Sequence, residues 1–257
     1  MIRIFLRETS IYLGFRLSWR NLPGCVDDRK IKCSYYRCLG ADKVAGGGVF
    51  VHFDNISGKK AEVYVDTEVH NSGKRTRTVA VETVLADAGD VPVKRVSQQV
   101  KLQAGESKTV RQRFAVRNPK LWSPDSPYLY RIQSRVKAGH EVLDGGVTRV
   151  GIRKAEFKGK DGFWLNGKPF GQLVGANRHQ DFAYVGNALP NSQQWRDAKR
   201  LRDAGCTIIR VAHYPQDPAF MDACDEMGLF VIVATPDGNI GIKIRSSQSW
   251  YIGIPVR

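Results

Sequence analysis

Long apolar runs are missing from this chain of 257 residues. The longest, Leu229 to Ala234, falls far short of the roughly 20 residues that a helix needs to cross a bilayer, so no membrane partner is expected. The N-terminus breaks its apolar residues with Arg3, Arg7, Glu8 and Arg16. It therefore lacks the uninterrupted stretch and small-residue cleavage site of an export signal, and the compartment stays open. Cysteine is sparse: Cys25, Cys33, Cys38, Cys206 and Cys224 form an odd set whose spacings fit neither a CxxC pair nor a zinc ribbon. Reduced thiols are expected, with no metal. Acidic side chains are also short, 25 against 40 Lys and Arg, for a formal charge of +15. That surplus is spread, with +5 on residues 1–43, +6 on 44–150, +1 on 151–237 and +3 on 238–257. A nucleic-acid binder would gather it on one helix or face with interleaved aromatics. Here the cations alternate with apolar residues, as on the wet face of a sheet, and no nucleic-acid partner is expected.

What is present is enough apolar material, 42% of residues, for one large domain or two modest ones. Residues 1–43 show no sustained period, and their fold is unassigned. From Val49 a period of two sets in: Val63, Val65, Thr67 and Val69 alternate with Glu62, Tyr64, Asp66 and Glu68, which marks a half-buried strand. The alternation recurs at Val79–Leu85, Val110–Val116 and Tyr128–Val136, punctuated by turns such as Asn71-Ser72-Gly73 and Ala104-Gly105-Glu106. About seven short strands in 44–157 predict an immunoglobulin-like β-sandwich.

Beyond Phe157 the pattern becomes strand, helix, strand, helix, strand. Phe170–Val174 is a strand candidate. A helix is expected over Ser192–Ala204 with Asn191 as N-cap, Gln194 three residues on, and Gly205 as terminator. Thr207–Val211 is the next strand. Asp217-Pro218 opens a second helix that Gly228 ends, and Leu229–Ala234 is a third, fully apolar strand suited to a covered parallel sheet. This is the opening of a (β/α) barrel or of a doubly wound sheet. In either, function gathers at the C-terminal ends of the strands. Asn177, Arg178, His179 and Asp181 follow the first strand there, and Arg210, His213 and Tyr214 the second. Two imidazoles and two guanidinium groups would converge on one pocket, a set suited to many hydroxyls or to an anionic group. Alternatively, Arg210 and His213 serve only internal loop hydrogen bonds.

Three landmarks carry a family resemblance. They are Leu121-Trp122-Ser123-Pro124-Asp125-Ser126-Pro127-Tyr128-Leu129-Tyr130, then Phe163-Trp164-Leu165-Asn166-Gly167-Lys168-Pro169 leading into Gly175–Asp181, and Thr207–Pro215 with Phe220-Met221, Asp225, Gly228 and Leu229–Ile232. In order and spacing they resemble glycoside hydrolase family 2, the β-galactosidases, β-glucuronidases and β-mannosidases, with Thr207 standing where that family usually has Asn. The resemblance covers about residues 44–236. It implies a sugar-binding jelly-roll domain, then an immunoglobulin-like sandwich, then a TIM barrel bearing the active site. It also implies that His179 and His213 line the subsite for the nonreducing sugar, that Arg210 supports the barrel floor, and that Asp181 lies close to the sugar. No cofactor is expected.

The family's two catalytic glutamates come from later barrel strands. A (β/α)8 barrel takes roughly 250 residues, so the span from Phe170 to Arg257 implies an incomplete TIM barrel and no catalytic residue within this chain. The expected organisation is 1–43 as an out-of-frame remnant of the jelly-roll domain, 44–157 as the sandwich, 158–236 as the start of the barrel, and 237–257 as a frameshifted tail. After Pro236 the text loses helical and strand logic, and the neighbouring reading frame can spell a family-like continuation; Trp19–Cys25 behaves similarly. A genuine short protein with odd termini is the alternative. The functional expectation is part of a retaining β-glycosidase, most like a β-galactosidase, inactive alone, with a carbohydrate partner. A noncatalytic carbohydrate-binding or interaction module is the rival.

Overall fold

The computed structural model describes residues 48–212, 214 and 216–233, with the backbone of Ser34–Tyr35. His213 and the proposed out-of-frame tail lie outside the described residues, as does all of 1–43 except that two-residue strand.

The first unit is a two-layer sandwich. Its strands are β1 (Ser34–Tyr35), β2 (Val49–Asp54), β3 (Lys60–His70), β4 (Arg77–Ala86), β5 (Pro92–Leu102), β6 (Ser107–Arg117), β7 (Tyr130–Ala138) and β8 (Glu141–Val150). One sheet pairs β3 with β2 on one side and β6 on the other, with β1 meeting the end of β3; the second has the order β5-β4-β7-β8. All pairings are antiparallel. Period-two patterning sets the layers, because alternate side chains leave opposite faces of a strand. Val63, Val65, Leu85, Phe114, Val116 and Ile132 fill the space between the sheets, and Val69, Val79, Val81, Leu102, Val110 and Val136 continue it. Of the strands named in advance, three lie within β3, β4 and β6, while the fourth begins at Tyr130 rather than Tyr128. The Tyr128 ring instead lies edge-on to Tyr130, centroids 4.9 Å apart.

The outer face of the β2-β3-β6 sheet is charged. Glu62 is met by Lys60 at 2.8 Å and Arg113 at 2.7 Å, and these hydrogen bonds, with one from Asn55, hold its carboxyl down to about 2. The cations of this region are thus spread over a sheet surface and partly neutralised by the acids that alternate with them.

A three-stranded antiparallel sheet follows, in the order β11-β10-β9, from β9 (Ala155–Phe157), β10 (Phe163–Leu165) and β11 (Lys168–Gly171). Its hairpin turns on Asn166 and Gly167, both at positive φ (53° and 82°), as the tight primed turns require. Phe163, Leu165 and Phe230 close around Trp122 to form a separate core under the next unit.

That unit is parallel. It comprises β12 (Gly175–Arg178), α1 (Asn191–Asp203), β13 (Ile208–Val211), α2 (Pro218–Met227) and β14 (Phe230–Val233), with strand order β12-β13-β14. The expected strand over Phe170–Val174 is corrected here. Phe170 belongs to the antiparallel hairpin, where its ring meets Phe163 and Phe230 at 5.5 and 5.6 Å, and the barrel strand starts at Gly175. Glycine is needed at that point, since a Cβ on Gly175 would lie 1.6 Å from the Ile208 carbonyl oxygen. Thr207, the departure from the family pattern, bonds both backbone groups of Val174 through its hydroxyl, at 3.0 and 3.1 Å, and so starts the β12–β13 pairing.

The helix ends also separate expectation from outcome. Asn191 is the first residue of α1, not its cap; Pro190 takes the cap position and no side chain caps it. Gln194 forms no capping box and is wholly buried. The second helix follows its sequence: Asp217 accepts from the Ala219 N–H at 2.8 Å and Gly228 closes the helix at φ 74°. Gly228 also faces the sandwich, where a Cβ would fall 2.2 Å from the Pro124 carbonyl oxygen. The two expected free thiols in the described residues are Cys206 and Cys224. Burial pushes the Cys224 thiol well above its usual range, which leaves it unreactive.

Candidate functional site

The polar residues of the parallel sheet divide between its two faces. Asn177 pairs in register with Arg210, and both line a concavity of about 350 Å³ together with Leu173, Gly175, Ile208 and Ile232. This is the inner face of the barrel strands. Arg178 is one residue on, so it leaves the opposite face and is buried beneath the helices, 6% exposed.

Arg178 therefore does not join the pocket that the sequence suggested for it. Its Nη2 donates to Gln194 Oε1 at 2.8 Å and to Asp197 Oδ2 at 2.7 Å, its Nη1 donates to Gln216 Oε1 at 2.5 Å, and the guanidinium lies 4.0 Å from the centre of the Phe220 ring. Gln216 replies by donating to the Arg178 carbonyl at 2.6 Å. This cluster clamps β12, α1 and the segment after β13 together. Sequence reading missed Gln194, Asp197 and Gln216 as its members; the signal was a pair of polar residues one helical turn from each other on the buried side of α1.

His179 and Asp181 stand on the exposed loop that leaves β12. The His179 ring is edge-on to Tyr214, centroids 6.4 Å apart. The Tyr214 hydroxyl accepts from the Gln180 N–H at 2.9 Å and donates to Asp181 Oδ1 at 3.5 Å. Gln180 Oε1 in turn accepts from the Asp217 N–H at 2.7 Å. The loops after β12 and β13 are thus tied to each other by Gln180 and Tyr214. The structure brings Asn177, Arg210, His179 and Asp181 to the strand-end side of the sheet, sets Arg178 apart, and leaves His213 outside the described residues.

Imidazole, guanidinium, carboxamide, carboxylate and phenol groups at one sheet edge can donate to and accept from hydroxyls in several directions. Among the described residues no three His, Cys, Asp or Glu side chains are grouped to hold an ion. Among the described residues, too, no helix is long and apolar enough to cross a membrane.

Two family models match in succession, "Glycosyl hydrolases family 2" over residues 48–153 and "Glycosyl hydrolases family 2, TIM barrel domain" over residues 156–249. A β-galactosidase of Thermoanaerobacter pseudethanolicus is 35% identical over 73% of the chain, and a putative β-glucuronidase of Formosa agariphila is 36% identical over 68%. Among solved structures, a putative β-galactosidase from Bacteroides fragilis superposes with a TM-score of 0.71 at 31% identity, covering 74% of this chain and 28% of its own. A Bacteroides uniformis β-glucuronidase gives 0.71 at 27% identity, covering 78% of this chain and 24% of its own. The alignments to the two enzymes take in 25% and 20% of their lengths, so with the two structures the chain spans between a fifth and 28% of the length of these relatives. On its sandwich, on the opening strands of its barrel and on both matched models, the chain belongs to glycoside hydrolase family 2.

Proposed function

We propose that this chain supplies the immunoglobulin-like sandwich and the first strand units of the catalytic barrel of a retaining β-glycosidase, most like a β-galactosidase, that removes terminal β-linked sugars. The observation that carries the reading is the pairing of Asn177 with Arg210 on one concave face near the C-terminal ends of β12 and β13, with His179 and Asp181 on the loop that leaves β12, the side on which barrel enzymes place their sites. In this reading His179, with His213 by family resemblance, binds hydroxyls of the nonreducing sugar. Asp181 accepts from a further hydroxyl, and Arg210 braces the floor with Asn177 beside it.

Hydrolysis with retention needs two carboxyl groups about 5 to 5.5 Å apart, one to protonate the leaving oxygen and one to attack the anomeric carbon. Among the described barrel residues the acids of α1 and α2 and the cap Asp217 sit on the helix side, which leaves Asp181 on the strand-end loops. One carboxylate cannot fill both roles. The pair is proposed to come from later barrel strands, as in the family. Purified chain is therefore expected to leave nitrophenyl β-galactoside unhydrolysed in a continuous absorbance assay. Turnover that disappears in the Asp181→Asn variant would overturn this division of labour.

A further inference from the structure

A polar layer cuts across the core of the sandwich. The two apolar clusters between the sheets part at one level of four strands, on the faces that alternate inward. Thr67 stands between Val65 and Val69 on β3, Gln112 between Val110 and Phe114 on β6, Thr83 between Val81 and Leu85 on β4, and Ser134 between Ile132 and Val136 on β7. In each case one flanking residue belongs to the first cluster and the other to the second. All four are enclosed by strands of this chain, Thr67 and Thr83 fully, Ser134 at 2% exposure and Gln112 at 5%. Thr83 pairs in register with Ser134, which pairs in turn with Gly146 of β8. Gln112 reaches across from the other sheet: its Nε2 donates to the Val81 carbonyl, close to Thr83 along β4, at 2.9 Å. Its Oε1 has no partner among the described residues, and neither have the hydroxyl oxygens of Thr67, Thr83 and Ser134.

Buried oxygens without partners are costly and rare in native interiors, yet here four gather at one level. We propose that the layer is a binding site for ordered water, held between the two sheets, that completes the hydrogen bonding of Gln112, Thr67, Thr83 and Ser134. Such a ligand has to donate to a carboxamide oxygen and to donate to or accept from three hydroxyls, and water does both. An ion would enter with no charged side chain among the four to balance it. Room comes from the residues themselves: Gly146, Ser134 and Thr83 form a row of small residues across β8, β7 and β4, flanked by the bulkier Ile132 and Leu85 on one side and Val136 and Val81 on the other. Interior space lined by polar groups holds water, whereas the spaces that stay empty are apolar. The layer lies within strands that this chain supplies, so it stands apart from the sugar subsite and from the rest of the barrel.

Long-lived internal waters in the full chain can be counted by oxygen-17 magnetic relaxation dispersion, which does not respond to exchanging hydroxyl protons. The triple variant Thr67→Val, Thr83→Val, Ser134→Ala, its fold checked by circular dichroism, is expected to hold at least one fewer than the native chain. The single variant Thr83→Val, measured by urea denaturation, decides the question where the triple variant does not fold. With water bound, loss of the hydroxyl removes one of its anchors, and the folded-to-unfolded ratio should fall about two- to tenfold. In a dry layer the same change replaces an unmet hydroxyl with a methyl group of similar shape, and the ratio rises. An unchanged count of internal waters in a folded triple variant, or a Thr83→Val chain at least as stable as the native one, would overturn the site.

Discussion

Replacing Trp122 with Ala is expected to destabilise the chain by about 3–5 kcal/mol, the range for removing a large buried aromatic. Trp122 is wholly buried and joins the sandwich to everything after it. Its indole N–H donates to the Asp225 carbonyl on α2 at 2.8 Å, its own carbonyl accepts from Asn166 of the hairpin at 3.0 Å, and its ring lies edge-on to Phe230 of β14 at 5.2 Å. The Arg153 guanidinium covers the ring at 4.1 Å. Burial has already pushed the Arg153 pKa down to about 10, and one of its terminal nitrogens has no partner among the described residues. Deleting the ring leaves a cavity in the core of Phe163, Leu165 and Phe230, removes the indole donor to the Asp225 carbonyl, and takes the cover from a half-buried cation. Trp122→Phe keeps the burial and loses the indole donor, so it should cost about 1–2 kcal/mol. Urea denaturation followed by circular dichroism measures both. A Trp122→Ala loss no larger than that of Trp122→Phe would contradict the joint described here.

Arg178→Ala should undo the docking of α1 on the parallel sheet, at a cost of about 3 kcal/mol. Breaking a fully buried pair costs about 3–5 kcal/mol, but Asp197 is 25% exposed and water can take back part of its charge. Arg178→Lys should recover little, because one ammonium group cannot reach Gln194, Asp197 and Gln216 together. Asp197→Asn, which keeps a hydrogen-bond acceptor, should be the mildest of the three. Hydrogen exchange localises the effect: amides of α1 should lose protection before those of β3 and β6. Uniform loss across both units, or rescue by lysine, would contradict the local docking role assigned to Arg178.

The sandwich was readable where one face of a strand is dry and the other wet, as in β6, whose burial alternates residue by residue from Thr109 to Arg117. β5 was not named in advance, because nearly all its residues are exposed and only Val96, Val100 and Leu102 of this edge strand pack inward, too sparse a set to read as a period. The start of the barrel was displaced by the Asn166-Gly167 turn, a strong hairpin signal that takes Phe170 into an antiparallel pair and leaves Gly175 to open the parallel sheet. Asn177 and Arg210 could be anticipated from their place near the ends of adjacent strands. Arg178 could not be separated from them without knowing the register, since a shift of one residue moves a side chain to the other face of the sheet. The cap at Asp217 followed from the Asp-Pro pair, whereas Gln194 was drawn away from the start of α1 by the buried guanidinium of Arg178.

The most direct test of the site is an amide-resolved NMR titration of the chain with methyl β-galactoside. Shifts confined to Asn177, His179 to Asp181, Arg210 and Tyr214 are expected if the strand-end loops hold the nonreducing sugar. Shifts on the sandwich strands instead, with the barrel loops unmoved, would contradict that assignment and make the sandwich the carbohydrate-binding element.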